Sequence, residues 1–441
     1  MSQFSIDQQT IDDLEIFKGY GAKSLFQIFD KTKTIEGSAT LKSIFTNPLT
    51  SSSLISQRIA LIEQLQMCNI KFDLDKESID FIEFYLRQNS LPKKTSLGFR
   101  IIQVVYDKLN PSRELYLRNR GTNEVIQLIR YLDNLRTDLK DITEYPFLNR
   151  LYEILASIKS NKAISDNISS NKEIKFSASL ILDHEIRRCE KSKINQLLSL
   201  VYELDAYFAV AKTAQCYQLT YPVISDSKEN FIQIEGLRHL FIENPIVNDF
   251  SLSFEKNVSF ITGVNMAGKS TFLKSVGIAV YLSHLGFPVP AQHMTSTIFD
   301  GLVTTINLSD NLAAGYSHFY NEVKRVKDVA HLTTNSRTVV IFDELFRGTN
   351  VIDAHDASIS IIKAFSKIST CLFLVSTHII EVAQELESNL HIDFRYLETQ
   401  MINGSPVFSR QLLPGISTDR MGHWIISNEG ILKILNENAN R

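Results

Sequence analysis

Gly263-Val264-Asn265-Met266-Ala267-Gly268-Lys269-Ser270-Thr271 fits the pattern G-x-x-x-x-G-K-[ST] at every fixed position. Chance produces those fixed positions in roughly one chain of this length in a hundred. The flanks narrow that further. Val258-Ser259-Phe260-Ile261-Thr262 is a short apolar, β-branched run that predicts a buried strand. Thr271 to Leu285 is apolar at helical spacing, with Gly286 and Pro288 as stop signals. Strand, glycine loop and helix together predict a phosphate cradle. In it, backbone N–H groups and the helix N-terminus face the anion, Lys269 reaches the β/γ-phosphates and Ser270 holds Mg²⁺. A nucleoside triphosphate is the expected ligand.

The rest of the chain divides by texture. Residues 1 to about 215 are poor in glycine and carry Leu/Ile at i, i+3, i+4 spacing, as in Leu54-Ile55-Arg58-Ile59-Leu61-Ile62-Leu65, which predicts helix. Asn47-Pro48 and Asn110-Pro111 mark breaks, the polar stretch Ser160 to Asn171 a loop, and Glu185 to about Ala214 one long amphipathic helix. From Tyr221-Pro222-Val223 onward, short β-type runs alternate with helical patterns: Phe231–Ile234, Val258–Thr262, Leu302–Ile306, Val339–Phe342 and Leu372–Val375. That alternation predicts an α/β domain with a largely parallel sheet. The boundary is drawn at residue 220, giving an all-α region over 1–220 and the α/β domain over 221–441.

Hydrolysis of a nucleotide needs an acidic site beside the loop. Thr338-Val339-Val340-Ile341-Phe342-Asp343-Glu344 supplies one: an apolar strand ending in adjacent carboxylates, at the strand end where α/β proteins bind ligands. Asp343 would help to hold Mg²⁺. Glu344 would orient or deprotonate the attacking water. A capped strand end with two solvated acids is the plain alternative. Another strand, Cys371–Val375, ends at Ser376-Thr377-His378, so His378 is a candidate for sensing the γ-phosphate or holding the water. An ordinary satisfied polar histidine fits the same place. Between these, Gly315-Tyr316-Ser317-His318-Phe319-Tyr320-Asn321-Glu322 opens a helix, with Ser317 at the position of an N-cap.

At 441 residues the chain has room for two or three domains, and its 44 % hydrophobic and 22 % charged composition is that of a globular protein. A net charge of −3 gives no global basic field, so any nucleic-acid surface must be local. Lys93, Lys94, Arg100, Lys108, Arg113, Arg118, Arg120 and Arg130, opposed only by Asp107, Glu114 and Glu124, form a candidate basic stripe. It suits phosphate contact and equally an ordinary solvated face. Cys68, Cys189, Cys216 and Cys371 are far apart, without a C-x-x-C pair or zinc-type spacing, and read as reduced, mostly buried thiols. With no secretory signal and no run of 18 apolar residues, the expectation is a cytoplasmic protein without membrane spans.

These residues also resemble a family. Thr262 to Thr271 is similar to the TGPNM[AG]GKST loop of the MutS DNA mismatch-repair ATPases, the Asn265-Met266 pair being more specific than the generic pattern. Asp343-Glu344-Leu345-Phe346-Arg347-Gly348-Thr349-Asn350 resembles the family's DEIGRGTS, Ser376-Thr377-His378 its ATH, and Ser317 to Glu322 its S-T-F-x-x-E. Arg238-His239 and Asn248-Asp249 match its RHP…ND lead-in. Ser24-Leu25-Phe26, Asp30 to Thr34, Leu41, Asn47-Pro48-Leu49, Arg58 and Leu204-Asp205-Ala206-Tyr207 resemble its helical lever. The likeness covers nearly the whole chain.

It implies an ABC-type P-loop ATPase domain preceded by an all-α lever. It also implies a homodimer, with each ATP and Mg²⁺ sandwiched between one subunit's P-loop (Gly263, Asn265, Met266, Ala267, Gly268, Lys269, Ser270 and Thr271) and Ser317 of the other. DNA, mismatched or branched, is the implied partner, and a DNA-dependent ATPase the implied activity. Departures go with it. The chain starts at the lever, so the N-terminal mismatch-reading domains are expected to be absent, and Phe81-Ile82-Glu83 is an accidental match to their Phe-x-Glu wedge within a helical pattern. The lever is short, so a clamp domain is expected to be missing or rudimentary, and a C-terminal helix-turn-helix is likewise not expected. Val264 replaces the usual proline, and Pro245 takes an adenine-stacking aromatic position. Two other classes stay open: a nucleotide-gated interaction protein without DNA binding, and an ABC-type ATPase subunit of another machine.

Overall fold

The computed structural model describes residues 3–417 apart from 22, 69, 71, 89–101, 104, 108, 111, 140–144, 171–173, 175, 307–317, 335, 347–348 and 403–404, together with residues 428, 431 and 435. It divides into two compact units. One comprises Met1–Ile28, Phe45–Ile59 and Ala214–Arg441; the other comprises Phe29–Ile44 and Ala60–Thr213. Dividing the sequence at residue 220 assigns the first 28 residues and Phe45–Ile59 to the helical lever, whereas here they pack with the P-loop.

In chain order the strands are β1 (Val223–Ser225), β2 (Phe231–Leu237), β3 (Asn248–Ser253), β4 (Val258–Thr262), β5 (His293–Thr297), β6 (Gly301–Thr305), β7 (Thr338–Asp343), β8 (Leu372–Ser376), β9 (Ile392–Ile402) and β10 (Ser405–Pro414). A six-stranded sheet has the order β10-β9-β4-β8-β7-β6, and a four-stranded one the order β1-β5-β2-β3. In the larger sheet every pairing is parallel except β10 with β9. All residues of β4 and β8 are buried, the condition of inner strands in a parallel sheet, which explains their unbroken apolar runs.

β6 ends the six-stranded order, and an uncovered edge would leave unpaired backbone donors and acceptors. The N-terminal segment covers it. Ser5 bridges to Gly301, where a β-carbon would lie 2.7 Å from the Ser5 carbonyl. The helix Gln8–Asp13 lies alongside: the Thr304 N–H donates to Thr10 Oγ1 (2.9 Å), and the Asp13 carboxylate accepts from Thr304 Oγ1 (2.7 Å) and the Ile306 N–H (2.8 Å). Residues 45–59 are held by the end of the helix that follows the P-loop. The Leu49 N–H donates to the His284 carbonyl (2.8 Å), Arg58 donates to the Leu285 carbonyl (2.8 Å), and Tyr281 donates to the Phe45 carbonyl.

The other unit is helical, as expected. Its longest uninterrupted helix within one unit, Arg113–Asp138, buries Leu115, Val125, Ile126, Ile129, Leu132 and Leu135 and is capped by Ser112. Tyr85 of the helix Lys76–Leu86 lies over Gly121, where any side chain would collide with its ring, and donates to Asp183 (2.6 Å). Asp205 accepts from the backbone N–H groups of Lys33 (2.9 Å) and Thr34 (2.9 Å) and from the Thr34 hydroxyl (2.8 Å), fixing the entry to the helix Ile35–Thr46.

Three details differ from the sequence reading. Residues 162–169 are not loop but a helix, Lys162–Ser169, because Asn161 caps it and Ile164 and Ile168, four apart, are buried. The long helix from Glu185 is instead a π-turn, Glu185–Cys189, followed by an α-helix, Lys191–Tyr217. Cys68, Cys189 and Cys216 are exposed and only Cys371 is buried. Among the described residues no helix is long and apolar enough to cross a membrane.

His284 generates a pH prediction. It is fully buried; Nδ1 donates to the Leu49 carbonyl (2.8 Å) while Nε2 accepts from the Phe299 N–H (3.3 Å), so only the neutral ring satisfies both partners. Burial pushes its pKa down to about 4. The unfolded chain takes the proton at its ordinary value of ~6.5, so below that pH the unfolded state gains relative to the folded one. The stabilisation is complete above pH ~6.5 and is lost as pH falls toward ~4, by on the order of 3 kcal/mol. Urea midpoints are expected to fall over that window, and His284→Gln to show a shallower dependence.

Candidate nucleotide site

β4 delivers the glycine loop, and the helix Lys269–His284 leaves it. The loop's shape is set by left-handed backbone: Gly263 has φ 146°, Met266 φ 75° and Gly268 φ 106°. Gly263 also passes within 3.4 Å of the Leu397 carbonyl, measured from where a β-carbon would sit. The turn closes through the Ala267 N–H to the Val264 carbonyl (3.2 Å), and the helix starts with the Phe272 N–H to the Gly268 carbonyl (2.9 Å). Asn265 and Met266 project to solvent, while Ala267 is buried and Thr271 half-buried.

Lys269 is buried, and its Nζ donates to the carbonyls of Gly263 (2.8 Å) and Val264 (3.3 Å). Burial holds its pKa below the usual lysine range, partly opposed by the charges of Glu344 and Asp343. The acidic strand end meets the loop at Ser270. Asp343 accepts from the Ser270 hydroxyl with one oxygen and from Ser376 Oγ (2.5 Å) with the other. The Glu344 N–H is held by Ser376 Oγ (3.1 Å) and the Ser376 carbonyl (3.2 Å). Glu344 has φ 60°, a left-handed turn that a non-glycine residue adopts at a cost of roughly 1–3 kcal/mol. His378 Nδ1 lies 3.9 Å from the Glu344 carboxylate, in ion-pair range though too far for a hydrogen bond. Lys269, Ser270, Asp343, Glu344 and His378 are therefore one constellation.

An open cleft adjoins the loop at Met266, Gly268 and Thr271. Its walls are mainly apolar, with Leu237, Ile242, Pro245 and Phe272, and it also presents Arg238, His239 and Arg410. This mainly apolar character suits a small ligand's ring system. Burial, with the charge of Lys274 adding to it and Glu15 opposing, pushes His239 down to about 4, so at neutral pH it carries no charge. Arg238 is committed to the carbonyls of Tyr217 (2.8 Å) and Gln218 (2.5 Å). Asn248 ties β3 to β10 through the Leu412 N–H (2.7 Å) and the Arg410 carbonyl (3.0 Å).

Sequence reasoning missed Ser376 as the residue that fixes the Asp343 carboxylate and the backbone of Glu344. Its signal was the strand end next to His378, but its position opposite Asp343 depends on the β7–β8 register. Ser317 lies outside the described residues, as do Lys93, Lys94, Arg100 and Lys108 of the basic stripe. Of its described arginines, Arg113 is exposed and three are engaged within the unit. Arg118 is paired with the buried Asp107 (2.5 Å), Arg130 donates to the carbonyls of Asn167 (2.8 Å) and Ile168 (3.1 Å), and Arg120 lies 4.3 Å from the centre of the Phe81 ring.

A buried parallel sheet, a left-handed glycine loop and an acidic strand end meeting the loop's serine define a P-loop nucleotide-binding protein. Sequence comparison takes this further. The profile of MutS domain V matches residues 259–440, and that of MutS domain III matches residues 9–330. The chain belongs to the MutS family, with a helical domain III region followed by the mixed α/β sheets of domain V, an ATPase domain. The DNA mismatch repair protein MutS of Ehrlichia ruminantium (strain Welgevonden) is 26 % identical over 95 % of this chain and 63 % of its own length. That of Caldanaerobacter subterraneus subsp. tengcongensis is 24 % identical over 88 % of this chain and 55 % of its own. That of Thermus thermophilus is 31 % identical over 58 % and 30 %. The chain thus spans less than two thirds of the length of these relatives.

Gly268 generates the prediction here. A β-carbon at this position meets nothing within 4 Å, so space is no obstacle, but φ 106° is strained for any L side chain. Gly268→Ala is expected to cost about 1–2 kcal/mol, read from urea unfolding, and to weaken nucleotide binding in a fluorescent-nucleotide titration.

Proposed function

We propose that this chain hydrolyses ATP with Mg²⁺ and works as a homodimer that couples the nucleotide cycle to rearrangement on DNA. The observation that carries the chemistry is the meeting of Ser270 with Asp343, beside Glu344 and His378. Two hard oxygen donors in contact, one hydroxyl and one carboxylate, fit Mg²⁺, which prefers such ligands and keeps several waters. Ser270 and Asp343 would hold that ion, whose part is to neutralise charge on the β- and γ-phosphates. Gly263 to Gly268 and Thr271 supply the cradle, and Lys269 exchanges its two carbonyl partners for phosphate oxygens. Glu344, held rigidly through its backbone, orients the attacking water. His378 sits where it can hold the same water or report the γ-phosphate. The apolar cleft takes the base, with Pro245 and Met266 offering surface contact in place of aromatic stacking.

Exposed apolar side chains support the dimer. Met266 on the loop is 79 % exposed, and Val351 and Ile352, which begin the helix after the acidic loop, are 71 % and 74 % exposed. A face with this character beside the site suits burial by a second subunit, whose Ser317 would complete the site. For DNA, the support is family membership and the relatives' names, not the basic stripe, in which Arg118 and Arg130 are engaged within the unit. The indicated substrate is a mismatched or branched DNA read by shape.

The test is the ATPase rate with and without duplex, mismatched, Holliday-junction and single-stranded DNA at two salt concentrations. Glu344→Gln is expected to lower kcat by about 10²-fold or more while nucleotide still binds, and Lys269→Ala to abolish binding. Stimulation by one DNA structure, weakened by salt, supports the full reading. Hydrolysis indifferent to every DNA leaves the ATPase and favours a nucleotide-gated interaction protein.

A further inference from the structure

Among the described residues, His184, Glu185 and Cys189 form the one cluster of three potential metal ligands, their ligand atoms all within 4.8 Å of one another. It belongs to the helical unit, away in sequence from every nucleotide-site residue. Nothing in the spacing H-E-x-x-x-C suggests it. On an α-helix, residues five apart point about 140° away from each other. Here the chain makes a π-turn over Glu185–Cys189, closed by the Glu190 N–H to the Glu185 carbonyl (2.8 Å), so residues five apart fall one turn apart on the same face. That brings Cys189 Sγ to 3.9 Å and Glu185 Oε1 to 3.2 Å from His184 Nδ1.

We propose that the π-turn of the helical unit is a binding site for a zinc-class divalent ion, held by His184 Nδ1, Glu185 Oε1 and Cys189 Sγ. Around a tetrahedral zinc a nitrogen and an oxygen ligand stand about 3.3 Å apart and a nitrogen and a sulfur ligand about 3.5 Å apart, so the measured 3.2 Å and 3.9 Å need only a small adjustment of the Cys189 side chain. The donor set of imidazole, carboxylate and thiolate selects zinc-like ions over Mg²⁺ or Ca²⁺. The support behind the ligands is in place as well. Asn161 Nδ2 donates to Glu185 Oε2 (2.8 Å), turning the other oxygen toward the site, and the same Asn161 caps the helix Lys162–Ser169. An ion here would pin the π-turn and, through Asn161, the start of that neighbouring helix. Cys189 is exposed, which leaves a coordination position facing solvent for water.

The experiment uses the whole chain, reduced, stripped of metal and free of nucleotide. Co²⁺ is titrated in while the near-ultraviolet thiolate-to-cobalt absorption is followed, then displaced with Zn²⁺. The wild type is expected to give a saturable band with one equivalent of Co²⁺, bleached by Zn²⁺. Cys189→Ser, at an exposed position and checked for unchanged far-ultraviolet circular dichroism, is expected to lose the band. His184→Ala is expected to bind Co²⁺ at least tenfold more weakly. A Cys68→Ser/Cys216→Ser double variant, which removes the other exposed thiols, is expected to keep the band. No band in the wild type, or one that survives Cys189→Ser, overturns the proposal. Neither outcome touches the P-loop chemistry, which involves no thiol.

Discussion

The site depends on the register of three parallel strands. β8 lies between β4 and β7, with Ser376 opposite Ile261 on one side and Asp343 on the other. Parallel strands that all point the same way bring their C-terminal ends to one edge, and the register sets them level. At that edge Ser376 reaches Asp343 and the backbone of Glu344, and Asp343 reaches Ser270 across from the loop. A shift of one residue in β8 would turn every side chain of that strand to the other face and separate the carboxylates from the serine. The strand burial that holds the register also makes the edge rigid.

Rigidity is used to hold backbone that would not adopt these shapes alone. Gly263, Met266 and Gly268 are left-handed in the loop, and Glu344 and Phe346 are left-handed after the acidic strand. Such residues persist only where their surroundings over-determine them. Phe346 is buried in the core together with Val340, Phe342, Phe373 and Val375, so packing anchors the strained turn on its far side. Burial of Lys269 follows the same logic. Its ammonium is costly to desolvate, and two backbone carbonyls and two nearby carboxylates compensate.

The helical unit solves a different problem, that of fixing turns without a sheet. Asp205 gathers the N–H groups of Lys33 and Thr34 from a distant part of the chain, and Tyr85 fills the notch left by Gly121 while bonding Asp183. The π-turn at Glu185–Cys189 belongs with these features. It interrupts what sequence periodicity presents as one helix and gathers polar side chains on one face. In the P-loop unit the N-terminal helix is equally specific, pairing Thr10 and Asp13 with the edge strand β6.

Much of this was legible in the chain itself, because local chemistry suffices for it. Strand β4 was located to the residue because every position in it is apolar or small and buried. The glycines of the loop mark left-handed backbone, and the apolar run into Asp343-Glu344 marks a buried strand with an acidic end. What was misread shares a cause: short or polar stretches whose structure is decided by distant partners. Residues 162–169 are helical because two isoleucines find a core and Asn161 finds a cap. Arg118, Arg120 and Arg130 of the stripe look like part of a phosphate-binding face until Asp107, Phe81 and the carbonyls of Asn167 and Ile168 claim them. Sequence by itself determined the kinds of element, the phosphate loop, the acidic pair and the family likeness, all of which reside in contiguous residues. The tertiary structure alone decided that β8 separates the loop strand from the acidic strand, that Ser376 joins them, that the first 28 residues serve the P-loop unit, and that His184 meets Cys189. Strand order, register and helical phase are set by packing between residues far apart in the chain, and no local pattern encodes them.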